Sequence, residues 1–172
     1  MGIYSDHINE KKLSKLITKN DRNILRVFDE DFYYCNGYIM ALCDYSHYDI
    51  IGKLIKVGAI ANIRDFTPKE SIDLQPIIGP DDEEYAAEIT GFYVKYFTNE
   101  LYRIFKINGK LYSYNQKYLD VFEDVEYRAT IDKNTKYPKL KIYSKDKKFI
   151  GLIMPIRDEI LENTKIYSDS KE

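Results

Sequence analysis

The sequence predicts a single α+β domain in which one order of elements, a helix followed by three antiparallel strands, occurs twice. Three observations lead there. Short runs rich in Ile, Val, Tyr and Phe alternate with turn-forming clusters, and two of those clusters, Asn36-Gly37 and Asn108-Gly109, are strong hairpin signals. Helical spacing of apolar residues precedes three such runs at 9–43 and again at 116–153. With 172 residues, 44% of them apolar, the chain has material for one ordinary core. The expected division is one domain over 1–172, with half-repeats at about 9–57 and 101–157, a connecting insertion at about 59–98 and a polar C-terminal tail at 158–172.

Leu13, Leu16 and Ile17, with Lys11, Lys12, Lys15 and Lys19 elsewhere, give the first helix from Asn9, and Asn20-Asp21 ends it. Ile24 to Phe28 has strand composition, Asp29-Glu30-Asp31 reads as a turn, and Phe32 to Cys35 as the next strand. Asn36-Gly37 favours a type I′ turn, which returns the chain through Tyr38 to Cys43. Ser46 is placed to cap a second helix running to about Val57, with Ile50, Ile51, Leu54 and Ile55 on one face and Gly58 as its stop. The stretch 59–80, with Pro68, Pro76, Gly79 and Pro80, reads as a surface connection.

Asp81-Asp82-Glu83-Glu84 then suits a solvated helix N-terminus, and Tyr85, Ile89, Phe92, Tyr93 and Tyr96 keep helical spacing, yet 90–97 reads equally as a strand; the sequence leaves both open. Runs at 102–107 and 111–114 flank Asn108-Gly109 as a hairpin, and a short helix follows over 116–122. Strands at 125–131, 139–143 and 149–153 complete the second unit, separated by Asp132-Lys133-Asn134 and Lys145-Asp146-Lys147 turns.

Charge and composition narrow the function classes. With 26 basic and 28 acidic residues the chain is nearly neutral, which offers no general attraction for phosphate backbones and no imitation of DNA. Residues 1–6 lack the apolar core of a signal peptide, Asp6 stands where a myristoylation motif wants Ser or Thr, and no run has the length of a membrane span, so the expected location is cytoplasmic. Cys35 and Cys43 read as reduced, buried, small hydrophobes. Tyrosine is in excess, 17 residues beside no tryptophan. An AT-rich genome produces that bias, and so does a contact surface, because Tyr joins a rigid apolar ring to a polar tip.

Two blocks carry a family resemblance. Tyr114-Asn115-Gln116-Lys117-Tyr118-Leu119-Asp120, followed by three strands and Ile153-Met154-Pro155-Ile156-Arg157, resembles the last domain of bacterial DNA polymerase sliding clamps, which carry an Asn-Pro-x-Tyr-Leu-like helix start and close on a Met-Pro-Met-Arg-like strand. Cys35-Asn36-Gly37-Tyr38-Ile39-Met40-Ala41 is similar to the clamps' Thr-Asp-Gly-x-Arg-Leu-Ala turn. The resemblance implies two βαβββ units, in agreement with the order read above. It does not imply a DNA sleeve, because clamp rings need several such domains with basic inner helices, and the second helix here leads into Asp120, Glu123 and Asp124. It carries over part of the clamps' peptide groove, at Met154, Pro155 and Arg157, while Ile156 departs from the motif. Isolated clamp-like domains of this composition are expected from phages or mobile elements of low-GC bacteria, where such proteins bind and block host machinery.

The expectation is therefore a non-catalytic protein-binding module, an inhibitor of host defence such as a CRISPR nuclease or of the replication machinery, with contacts at Tyr93, Tyr96, Met154, Pro155 and Arg157. The alternative is a nucleic-acid-binding accessory protein derived from a sliding clamp, acting through Lys139, Lys141, Lys145 and Lys147 with Tyr137 and Tyr143 interleaved. Solvated lysines that guard sheet edges against aggregation have the same spelling. No catalytic residue, cofactor or metal site is expected. His7 and His47 read as surface residues, and Pro80-Asp81 with Asp146-Lys147-Lys148 imitates a metal-dependent nuclease motif but places its second part in a hairpin turn.

Overall fold

The computed structural model describes residues 4–19, 21–28, 31–58, 74–79, 84–96, 99–131, 133–156 and 164–169. The chain runs through α1 (Glu10–Leu16), β1 (Ile24–Phe28), β2 (Asp31–Cys35), β3 (Ile39–Cys43), α2 (Tyr48–Lys56) and α3 (Gln75–Ile78). It continues through β4 (Glu84–Lys95), β5 (Leu101–Ile107), β6 (Lys110–Asn115), α4 (Gln116–Leu119), β7 (Val125–Thr130), β8 (Leu140–Ser144), β9 (Phe149–Ile153) and β10 (Tyr167–Ser168). The architecture is α+β, one domain with an antiparallel sheet in the order β1-β2-β3-β9-β8-β7-β4-β5-β6 and with β10 added to β4.

The predicted repeat of order is present in this topology. α1 leads into the meander β1-β2-β3, α4 leads into the meander β7-β8-β9, and the two meanders join through their last strands, with Ile39 opposite Ile153, Met40 opposite Leu152 and Ala41 opposite Gly151. Each helix begins on an asparagine. Asn9 Oδ1 accepts from the Lys12 N–H at 3.0 Å, and Asn115 Oδ1 accepts from the Lys117 N–H at 3.0 Å, each satisfying a donor that the first helical turn leaves unpaired.

Alternation along the inner strands fills both faces of the sheet. Phe32, Tyr34, Ile39, Ala41 and Cys43 turn toward the main core, which α1, α2 and α4 close with Leu13, Ile17, Ile50, Leu54 and Leu119. Tyr33, Met40, Leu42 and Leu152 turn the other way into a smaller cluster joined by Leu74, Phe149 and Met154. Gly151 is required at the seam: a Cβ there would lie 2.3 Å from the Met40 carbonyl oxygen and 2.8 Å from the Phe122 ring.

One open reading is decided and three expectations need correction. The segment 84–95 is strand throughout, not helix, because its backbone groups pair with β5 along one edge and with β7 and β10 along the other. A register shift between Ile89 and Tyr93 breaks the period-two pattern and leaves apolar residues at helix-like spacing. The insertion 59–98 therefore contributes a strand of the sheet as well as a connection. Ser46 does not cap α2: its hydroxyl bonds the Asp44 carboxylate, and Glu10 Oε1 on α1 accepts from the Asp49 and Ile50 N–H groups at 2.7 and 3.4 Å instead. Asn36-Gly37 turns the chain without a type I′ turn, since Gly37 alone takes positive φ (91°) while Asn36 Oδ1 accepts from the Tyr38 and Ile39 N–H groups. Asn108-Gly109, with φ of 47° and 74°, has the I′ signature at both residues.

Candidate functional site

The order of pairing at the seam builds a cleft. Ile39 opposite Ile153 brings the strand after β9 alongside the β2–β3 turn, and the Met154 N–H continues the pairing by donating to the Tyr38 carbonyl at 2.8 Å. Met154, Pro155 and Ile156 thereby form one wall of a cleft of about 760 Å³. Lys15, Leu16, Thr18 and Asp21 at the end of α1, with Asn36, Gly37 and Tyr38, supply the rim from the first unit. Glu100, Tyr102, Asn115, Lys117 and Tyr118 supply it from the second. Tyr38 and Tyr118 stack across the boundary with centroids 6.2 Å apart and planes within 6°.

The second unit's side of the cleft is a fixed polar cluster. Glu100 Oε2 accepts from the Tyr102 hydroxyl and from Asn115 Nδ2, both at 3.1 Å, and Lys117 Nζ donates to Glu100 Oε1 at 2.8 Å. The Lys117 hydrogen bond holds the Glu100 carboxyl below its ordinary range. Partial burial lowers the Lys117 ammonium, but the Glu100 hydrogen bond and the charges of Tyr118, Glu100 and Tyr102 together outweigh it, and the net displacement is upward. Partial burial, and then the nearby Glu100 charge, push the Tyr102 phenol up. Lys117 also lies 5.1 Å from the Tyr118 ring centroid, so its cation is shared between a carboxylate and a π face. The arrangement suits recognition: aromatic rings and an apolar Met-Pro wall beside a fixed donor–acceptor array.

Of the residues expected to bind protein, Met154 and Pro155 line this cleft. Arg157 lies outside the described residues. Tyr93 and Tyr96 sit elsewhere, on β4 and just beyond it. Tyr93 stacks on Tyr167 at 5.4 Å, and Tyr96 meets the Tyr102 ring edge-on at 4.9 Å and the Ser113 hydroxyl at 3.4 Å. Tyr38, Glu100, Tyr102, Lys117 and Tyr118 are not among the expected site residues; Tyr38 lies in the clamp-like block 35–41 and Lys117 and Tyr118 in the block 114–120, while Glu100 and Tyr102 carry no signal.

Of the lysines expected to touch nucleic acid, Lys139 and Lys141 line one cleft, while Lys145 and Lys147 lie beyond the C-terminal end of β8. Lys141 is a correction: its side chain is 4% exposed and donates to Glu84 at 3.0 Å, where Tyr143 (3.1 Å) and Arg128 (3.4 Å) also converge. Glu84 is itself 8% exposed, far from the solvated helix start that its acidic neighbours suggested. Lys145 pairs with Asp124, and Lys147 occupies a turn at φ 64°. Lys139 is exposed beyond the other end of β8, roughly 20 Å from Lys145 at the rise of a strand, where it borders a second cleft with Lys136 and Tyr137.

His47 is also a correction, being 2% exposed rather than on the surface. Ser46, His47 and Asp44 crowd together, but the Ser46 hydroxyl bonds Asp44 and not the imidazole, whose Nδ1 accepts from the Asp44 N–H at 3.0 Å. Nucleophilic catalysis needs the hydroxyl on the base, so this cluster is a turn lock. His47 Nε2 and Asp44 Oδ2 are buried without a partner among the described residues. Cys35 and Cys43 are free thiols, and burial pushes Cys43 well up from its ordinary value, away from the reactive thiolate. Asp81 lies outside the described residues. Among those described, no group of three or more His, Cys, Asp and Glu side chains gathers to hold a metal ion, and no helix is long and apolar enough to cross a membrane.

Comparison with protein-family models, with curated proteins and with solved structures finds no match. The likeness to sliding clamps therefore has the short motifs and the repeated order of elements behind it and nothing more.

Proposed function

We propose that this chain is a non-catalytic protein-binding module that seats a segment of a partner protein in the junction cleft. The observation that carries the reading is the cleft's composition. Two stacked tyrosines and the Met154-Pro155-Ile156 wall offer apolar contact, while Glu100, Asn115 and Lys117 present fixed polar groups beside them. Rigid aromatic anchors beside satisfied polar groups are what protein recognition sites combine. The clamp resemblance, in which the Met-Pro strand borders a peptide groove, supports the same wall and favours a host nuclease or replication protein as target of an inhibitor from a phage or mobile element.

The test is affinity capture from a low-GC bacterial lysate with the wild type and with Tyr38→Ala. Tyr38 is 62% exposed, so its loss leaves the core intact. One protein recovered in stoichiometric amount by the wild type, and reduced about tenfold or more by the variant, is expected. Recovery of nothing above background, or equal recovery by both, overturns the reading. The alternative, a nucleic-acid accessory protein, retains Lys136, Lys139 and Tyr137 around the second cleft, with the Lys136 ammonium 5.2 Å from the Tyr137 ring. It predicts a salt-sensitive gel shift that Lys139→Gln weakens.

A further inference from the structure

The two edges of β4 are used differently. Six residue pairs, from Ala87 opposite Ile107 to Lys95 opposite Leu101, join it to β5. On the other edge β7 takes only 84–86, and the C-terminal strand β10 takes Tyr93 and Phe92 through Tyr167 and Ser168. Among the described residues, no strand pairs with positions 87–90 on that edge.

Two strand pairs are a weak tie. The segment is held by docking as well. The Tyr167 ring stacks on Tyr93 at 5.4 Å with planes 14° apart, and the Lys95 ammonium lies 5.2 Å from its centroid. The Asp169 N–H donates to the Gly91 carbonyl at 2.9 Å, and the Asp169 carboxylate accepts from Arg103 Nη1 at 2.6 Å. Arg103 has further ties within the sheet and to α4. Its Nε donates to Gln116 on α4 at 2.9 Å, its guanidinium lies 5.6 Å from the Tyr93 centroid, and its side chain is 12% exposed. Tyr93, Arg103 and the β4 edge thus form a receptor made by β4, β5 and α4, for which the tail is one ligand.

We propose that this edge is a strand-addition site for an extended segment of a partner protein that carries an aromatic residue and, two positions later, a carboxylate, and that Tyr167-Ser168-Asp169 occupies it as a self-ligand. Charge complementarity selects the partner, since Arg103 and Lys95 both face the seated segment. A partner strand continuing past its carboxylate runs antiparallel to β4 toward Ile89, which is 51% exposed, and gains main-chain hydrogen bonds along 87–90. The site is separate from the junction cleft, and the proposal does not rest on the function assigned there.

The test uses the full chain and a synthetic hexapeptide with the sequence of residues 164–169, followed by amide NMR, which reads weak binding. A tethered tail competes at an effective concentration in the millimolar range, so the wild type is expected to respond weakly. The double variant Tyr167→Ala/Asp169→Asn, whose altered residues belong to neither core cluster, is expected to bind the peptide about tenfold more tightly than the wild type, with shifts at the Gly91 and Tyr93 amides. Replacing Tyr by Ala or Asp by Asn in the peptide, with the protein unchanged, is expected to weaken binding about tenfold in each case. Absence of those shifts in the double variant, or shifts indifferent to the peptide changes, overturns the proposal. A wild-type dimer in sedimentation that disappears in the double variant assigns the site to a second copy of this chain and overturns the partner reading.

Discussion

In the N-terminal unit the helix leans on another helix, and in the C-terminal unit it leans on a hairpin. α1 has seven residues, buries Leu13, and lends Glu10 to the start of α2, so that two short helices share one cap. α4 has four residues, too few to persist alone. It is fixed by Gln116 on Arg103, Lys117 on Glu100 and Asn115 on the same Glu100. The comparison teaches that one order of elements can fix its helix through a neighbouring helix in one half and through the side chains of a hairpin and its flank in the other. Both candidate binding sites lie where those side-chain ties are, because a fixed Arg, Lys or Glu near solvent is also a recognition group.

The largest expected effect is on what the two units share. Gly151→Ala drives a methyl group into the Met40 carbonyl and the Phe122 ring, and is expected to cost on the order of 3 kcal/mol in urea unfolding. A loss below about 1 kcal/mol would mean that the seam yields and the halves are less rigidly joined than drawn here. Next, Glu84→Ala strands the buried Lys141 ammonium and is expected to cost about 3 kcal/mol, most of it recovered by adding Lys141→Met. No recovery would deny that the C-terminal unit depends on this pair.

Alanine at the two helix starts compares the units directly. Asn9→Ala and Asn115→Ala are each expected to cost about 1–2 kcal/mol, because each side chain both accepts from a helix N–H and donates to a carboxylate, Asn9 to Glu123 at 2.6 Å and Asn115 to Glu100 at 3.1 Å. A loss at Asn9 well below that at Asn115 would mean that the Glu123 contact adds nothing to the N-terminal cap. In the N-terminal unit Gly52→Ala places a methyl group in open space within α2 and is expected to stabilise by about 0.5–1 kcal/mol.

The smallest effect is that of pH on Glu100 and Lys117. The folded Glu100 value is depressed, so its contribution is present above the ordinary carboxylate value of 4.5 and fades as pH falls through the lower folded value. The folded Lys117 value is raised, so its contribution is present below the ordinary 10.5 and fades as pH rises past the higher folded value. Both side chains are about one-third exposed or more, which keeps the total under about 1 kcal/mol. Melting temperatures of the wild type and Glu100→Gln should differ at pH 7 and converge near pH 3; a gap unchanged by pH would remove the pair from the account.

Much of the scaffold was legible locally. The strands at 24–28 and 149–153 begin and end where their composition does, and Asn9 and Asn115 open helices as their side chains favour. At Asn108-Gly109 both residues take positive φ, whereas at Asn36-Gly37 the Asn36 side chain satisfies the turn's N–H groups and leaves positive φ to glycine alone. β4 stayed open between helix and strand because a register shift and exposed Tyr85, Ile89 and Phe92 erase the alternation by which a half-buried strand is read. Of the cleft, the wall at Met154 and Pro155 was visible through a motif. Its other side was not, because Tyr38, Glu100 and Lys117 come from segments with no local signal of proximity.

The sequence by itself determined where the chain turns, where most strands run and how two helices start, since those follow from φ, ψ and hydrogen-bonding preferences within a few residues. Only the tertiary structure decided that β3 pairs with β9, that Gly151 must have no side chain, that Lys141 is buried against Glu84, and that Tyr167 returns to Tyr93. Those contacts join residues 57 to 114 positions apart, or place a ring against a backbone, and are selected by burial and charge pairing across the whole sheet, which no local window contains.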